Sequence, residues 1–265
     1  MKTGFIKSAQ HSRAANASGF TLLELLVVLG VIAVLIVIQL PALAAGKSQT
    51  KIAICANHVR QLALACQIYA NENNSLLPVM PSDGMWPWDL PASAANAFLN
   101  YGAQTNTFYC PGTAPRFTDA QNWALWNYGS VHVIGYALAF SGSSSTLNPT
   151  NQNTTIQPEA IPNFPSPGKA TTYRASERVL VADAILSIGS ARPGYAHPEN
   201  NYISIAGGFT YNGMIYPHVS PNLKGVVPMG GNLGFKDGHV DWRDFKLMTP
   251  RTSTGFPIGG PTFWW

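Results

Sequence analysis

Asp183, Asp237, Asp241 and Asp244, together with His197, His218 and His239, are the side chains best suited to proton transfer or metal binding in this sequence. A hydrolytic site needs a nucleophile or metal-bound water, a base and a group that orients the base. No spacing here supplies that set, because HExxH, GxSxG and the phosphate-binding glycine loop are all absent. Asp237, Asp241 and Asp244 are close enough in sequence to suggest Ca²⁺, which wants several carboxylate and carbonyl oxygens. Strand alternation, however, points Asp241 away from its neighbours. Asp237 precedes Gly238 and suits a hairpin turn better than a ligand sphere. The expectation is therefore a protein without catalysis and without a cofactor, Ca²⁺ at these three acids being the alternative. Cys55, Cys66 and Cys110 have no zinc-ribbon spacing. On a helix Cys55 and Cys66 stand about 16 Å apart, too far for a disulfide. A disulfide, if formed, joins Cys110 to one of them, Cys55 being preferred; three small buried residues are the alternative.

A different kind of chemistry is raised by "GFTLLELLVVLG" at residues 19–30, where one acid stands at the start of an apolar run. From Leu25 to Gly46 no residue is charged, and about 20 apolar positions suffice to cross a bilayer. A carboxylate at bilayer depth costs a few kcal/mol and calls for a partner. A signal peptide with a cleavage site at "ALAA" (42–45) is the rival reading, but it has a shorter apolar region and leaves Glu24 unexplained. The formal charge of +4 comes largely from Lys2, Lys7 and Arg13; beyond residue 19, 13 basic side chains meet 12 acidic ones. A nucleic-acid binder would keep a basic surface on its folded part, so nucleic acid is not an expected partner.

"GFTLLELLVVLGVIAVLIVIQLPALA" resembles the N-terminus of type IV pilins and type II secretion pseudopilins. The resemblance implies cleavage between Gly19 and Phe20 by a prepilin peptidase and N-methylation of Phe20. It also implies an assembly role for Glu24, which would pair with the N-terminal amine of a neighbouring subunit, and for Pro41. The implied partners are the peptidase, other pilin or pseudopilin subunits and an inner-membrane assembly platform. "CANHVRQLALACQIYANENNSLLP" (55–78), Cys110–Pro111 and "GGNLGFKDGHVDW" resemble a subgroup with a C-terminal His-x9-Asp-Gly pattern, but Val227 stands in place of the histidine.

These residues need a helix and a sheet to place them. Ile52, Cys55, Val59, Leu62, Cys66 and Tyr69 recur at spacings of three and four, one face of a helix. "NENNS" (71–75) and Pro78 end it, so residues 20–72 form a helix of about 80 Å, bent near Pro41. Strands are expected at 107–112, 132–140, 178–186 and 201–207. A two-residue Asp237–Gly238 turn would set Phe235 opposite Val240 and Leu233 opposite Trp242. Residues 141–170, rich in Ser, Thr, Asn and Pro, suggest a long surface loop. Trp86, Trp88, Trp123 and Trp126 suit core packing, with a carbohydrate-stacking surface as the alternative.

The expected fold is α+β and pilin-like, a long N-terminal helix packed on a C-terminal antiparallel β domain. Its parts are a leader (1–19), a transmembrane or filament-core helix (20–45), an amphipathic continuation (46–72) and an extracytoplasmic β-rich domain (73–265). The basic leader favours a cytoplasmic N-terminus in the inner membrane. The expected function is a filament or pseudopilus subunit; the alternative is a membrane-anchored binding or adhesin module that does not polymerise.

Overall fold

The computed structural model describes residues 20–80, 86–113, 131–142, 147, 149–162, 170–188, 200–205, 210–211, 214–215, 218–252 and 261–265. It divides into two compact units, Met1–Gly46 and Lys47–Trp265. Helix α1 (Leu22–Glu72) runs through both and continues through Pro41. In the first unit its side chains from Leu22 to Leu40 are solvent-exposed, and an 18-residue window has a mean hydropathy of 2.9. By length and composition this stretch is able to cross a membrane.

The second half of α1 is amphipathic. Cys55, Val59, Leu62 and Cys66 are fully buried, while Ile54 and Leu64 on other faces are exposed. The three-and-four spacing thus becomes one packed stripe. The helix ends after Glu72, where Asn74 and Ser75 take left-handed backbone angles (φ 54° and 65°) and the Ser75 amide returns to Ala70 O at 2.7 Å. Asn tolerates that conformation, so "NENNS" breaks the helix for a backbone reason.

The stripe packs on a four-stranded antiparallel sheet of β1 (Tyr136–Leu138), β2 (Val179–Asp183), β3 (Gly230–Phe235) and β4 (Val240–Asp244). The strands lie side by side in chain order, with β3 between β2 and β4. All of β3 is buried. Gly234 makes this possible: a Cβ there would stand 2.8 Å from Val59 Cγ1, closer than real contacts allow. Helix α2 (Ala92–Asn100) adds Ala94, Ala95 and Phe98 to the same core, Phe98 meeting Tyr69 edge-on at 6.4 Å.

Several expectations need correction. The β3–β4 hairpin has a three-residue loop, Lys236–Gly238: Gly238 N donates to Phe235 O (2.9 Å) and Phe235 N to His239 O (3.0 Å). Gly238 sits at φ 88°, the left-handed residue of a bulged turn. The register therefore shifts by one: Leu233 pairs with Asp241 and Asn232 with Trp242, while Trp242 stays partly exposed. Residues 107–112 form no strand; short 3₁₀ turns occupy Thr105–Phe108 and Pro111–Thr113. The expected strand at 132–140 splits into Val131–Val133 and β1, and that at 178–186 into β2 and Ile185–Ser187. Among the described residues of 201–207, only isolated bridges occur, Ile188 to Asn201 and Ile205 to His218; residues 206–207 lie outside them.

Nor is 141–170 simply a surface loop. Leu147 and Asn153 are fully buried. Asn153 Nδ2 donates to Ala139 O and Val179 O, both at 2.9 Å. Arg178 in turn donates to Asn153 Oδ1, Thr150 O and Gln152 O. Backbone bonds add to these side chains, Asn153 N donating to Ala139 O (2.8 Å) and Ser141 N to Asn153 O (3.0 Å), and Ala160–Pro162 pairs with Ala170–Thr172. Trp86 and Trp88 are core residues, 5% and 0% exposed, which removes them from any stacking surface. Trp123 and Trp126 lie outside the described residues.

Candidate functional site

Phe20 precedes α1 and is exposed, Glu24 lies in the first helical turn, and Gly19 lies outside the described residues. Thr21 and Glu24 close on each other. Thr21 N and Thr21 Oγ1 both donate to Glu24 Oε2 at 2.9 Å, and Glu24 N donates to Thr21 Oγ1 at 3.2 Å. This is a reciprocal capping box, in which two otherwise unpartnered helix N–H groups are satisfied. The Thr-x-x-Glu spacing was available in "FTLLE", and Thr21 is the residue that attention to Glu24 alone overlooks. The carboxylate also lies where the helix dipole favours negative charge. Pro41 lies within α1.

The second group of functional side chains surrounds Asp183 at the end of β2. Asp183 is fully buried; its Oδ2 accepts from Asn232 N (2.8 Å), Asn232 Nδ2 (2.9 Å) and Asn222 Nδ2 (3.2 Å). Burial raises its pKa to about 6 against those three hydrogen bonds, which lower it. Asn232 Nδ2 reaches on to Ile52 O of α1 at 3.3 Å, so the acid tethers helix to sheet. Cys55 and Cys110 form a disulfide beside it, with Cα atoms 5.3 Å apart, and Cys66 is a buried free thiol. His58, one turn beyond Cys55, meets Tyr109 O and the Tyr136 hydroxyl, each at 3.2 Å. Partial burial lowers the His58 pKa, and full burial raises that of Tyr136.

The remaining acids and histidines serve other places. Asp237 Oδ1 meets His239 Nδ1, and Asp241 Oδ2 lies 3.9 Å from His239 Nε2. Asp244 Oδ1 accepts from Trp242 Nε1 at 3.1 Å, and its Oδ2 lies 3.7 Å from Lys246 Nζ. Asp237 and Asp241 thus share His239, while Asp244 faces Trp242 and Lys246 instead of joining them. His218 is buried, its ring stacked on Trp88 at 4.1 Å. His197 lies outside the described residues.

Residues 14–38 match the family described as the prokaryotic N-terminal methylation motif. The chain carries a type IV pilin-like prepilin segment. The prepilin segment coincides with the exposed apolar half of α1, which is compatible with membrane anchoring. The motif implies processing by a prepilin peptidase and assembly with other pilins, and its family is structural rather than catalytic. With the antiparallel sheet that follows, the prepilin helix belongs to an α+β, pilin-like architecture. No curated protein matches the chain, and no solved structure does.

Proposed function

We propose that this chain is a pilin-like subunit, cleaved between Gly19 and Phe20, methylated at Phe20 and assembled through α1 into a type II secretion pseudopilus or a type IV pilus-like filament. The observation that carries this reading is the match at residues 14–38 falling on an exposed apolar helix with one acid in its first turn. A plain membrane anchor requires neither Glu24 nor cleavage after Gly19. On this reading residues 1–19 are the leader, 20–45 the membrane or filament-core helix, 46–72 its continuation and 73–265 the extracytoplasmic domain. The precursor sits in the inner membrane with its N-terminus in the cytoplasm, and its partners are the peptidase, sister subunits and the assembly platform.

Glu24 supplies the test. Glutamine keeps the size and also serves in a capping box, so Glu24→Gln preserves the helix start while removing the charge. If the carboxylate neutralises the Phe20 amine of an adjacent subunit, the variant leaves that amine unpaired in an apolar bundle, at about 3–5 kcal/mol. The expected outcome is normal membrane insertion and a mature N-terminus at Phe20 by mass spectrometry, with the variant absent from sheared filaments. Normal incorporation would sink the assembly role. A mature N-terminus near Lys47 would favour the signal-peptide reading instead.

A further inference from the structure

Beside the Cys55–Cys110 disulfide, the three donors that reach Asp183 all go to its Oδ2 and leave other acceptors unmatched. Asp183 Oδ1 and Asn222 Oδ1 are both buried without a hydrogen-bond partner. No lysine or arginine pairs with Asp183 among the described residues. One ligand atom each from Cys55, Cys110 and Asp183 lies within 4.8 Å of the other two. Asn222 belongs to the same place. A Cβ on Gly112 would stand 2.5 Å from Asn222 Oδ1 and 3.1 Å from Cys110 Sγ, so both atoms flank one point. Asn222 holds this position from a left-handed backbone (φ 57°), its amide donating to Gly112 O at 3.3 Å. Two sulfurs and a carboxylate oxygen converge from α1, the turn after Phe108 and the end of β2, and an amide oxygen from the segment before β3 stands on the Cys110 side of them.

Buried acceptors without donors are an arrangement that a cation satisfies. We propose that, when the disulfide is reduced, Cys55 Sγ, Cys110 Sγ and the Asp183 carboxylate bind a borderline-soft divalent cation of the Zn²⁺ class, with Asn222 Oδ1 as the fourth donor. Thiolates select such ions over Mg²⁺ or Ca²⁺. Around a tetrahedral ion with bonds of about 2.3 Å, two sulfurs stand roughly 3.8 Å apart, so the sulfurs joined in the disulfide must move apart on reduction, while the Asp183 oxygen already lies within 4.8 Å of both. Side-chain rotation is then enough to exchange the covalent bond for the metal. Cysteines are made as thiols and are oxidised only in an oxidising compartment. Metal and disulfide are thus alternative clamps between α1 and the sheet, the metal form being open to the chain before oxidation.

The chemistry balances with a phosphine as reductant. The phosphine attacks one sulfur, the S–S bond breaks, and water supplies the oxygen of the phosphine oxide and the protons of two thiols. Both thiols then lose their protons to solvent as the M²⁺ ion binds.

The full-length protein in detergent, reduced with a water-soluble phosphine, is titrated with Co²⁺ as the spectroscopic probe. The expected result is one Co²⁺ per chain with thiolate-to-metal charge-transfer absorption, displaced by Zn²⁺ and absent from the oxidised protein. Cys66→Ala should leave the signal unchanged. Asp183→Asn should weaken binding by at least the 10–100-fold seen when metal-site support is lost. Alkylation of the reduced wild-type chain gives a readout independent of any variant: Zn²⁺ should protect Cys55 and Cys110 together. No charge-transfer band, a band lost in Cys66→Ala, full affinity in a folded Asp183→Asn, or failure to protect Cys55 and Cys110 would each overturn the site.

Discussion

At the scale of single residues, burial decides which protonation state the fold accepts. His218 is enclosed against Trp88, and desolvation pushes its pKa down to about 3 from 6.5. The folded chain therefore holds a neutral imidazole, while the unfolded chain takes up a proton below 6.5. His218 contributes stability that is complete above pH 6.5 and is lost as the pH falls toward 3, with an upper bound of roughly 5 kcal/mol. His218→Phe keeps a flat ring on Trp88 and removes the titration. Its stability relative to wild type should rise from pH 7 to pH 4 in urea unfolding; a difference that ignores pH would refute this assignment. Asp183 was legible in the sequence as an acid near a strand end, but not as the hub of a buried network. Its partners Asn222 and Asn232 are ordinary loop and strand residues until the fold carries them to one place. The Thr21–Glu24 box, by contrast, is a local signal of four residues and needs no fold to be read.

At the scale of elements, local periodicity was readable and non-local choice was not. The α1 stripe follows directly from spacings of three and four, and its end from the asparagines that accept left-handed angles. The hairpin lies where Asp237–Gly238 suggests, with its register one residue away from that of a two-residue turn. Asp-Gly fits both a two-residue turn and the bulged three-residue loop, and only pairing with β2 and α1 selects between them. "TFYCPG" has strand-forming composition, yet the disulfide at Cys110 and the turns around it take the segment out of any sheet. The closeness of α1 and β3 leads to a second prediction. In Gly234→Ala the new methyl meets Val59 Cγ1 at 2.8 Å, and such overpacking costs about 1–3 kcal/mol. Val59→Ala opens a cavity at the same spot. The two together should cost less than the sum of the single changes, with a coupling of roughly 0.5–3 kcal/mol in a denaturant-unfolding cycle. Strict additivity would mean that the helix moves away instead of clashing.

At the scale of the whole molecule, the two compact units separate the chemistry of processing from the stability of the domain. The proposed cleavage and methylation positions fall in Met1–Gly46, whereas both disulfide cysteines fall in Lys47–Trp265. The disulfide spans 55 positions of chain, so it removes considerable freedom from the unfolded state. The loop-entropy relation gives about 4 kcal/mol for a loop of that length. A domain of ordinary stability has only some 5–15 kcal/mol in hand. Cys55→Ala with Cys110→Ala should therefore lower the midpoint of thermal unfolding clearly and increase proteolysis of the globular unit. Leader removal should be unaffected, because the proposed cleavage takes place at Gly19 and Phe20, outside the globular unit. Incorporation into filaments should fall in step with the amount of folded subunit, without the complete block expected for Glu24→Gln. The measurements are the mature N-terminal mass, the unfolding midpoint and the amount in sheared filaments, taken on the same preparations. An unprocessed double variant would show that folding of the second unit controls access to the cleavage site, so that processing and domain stability are not separate.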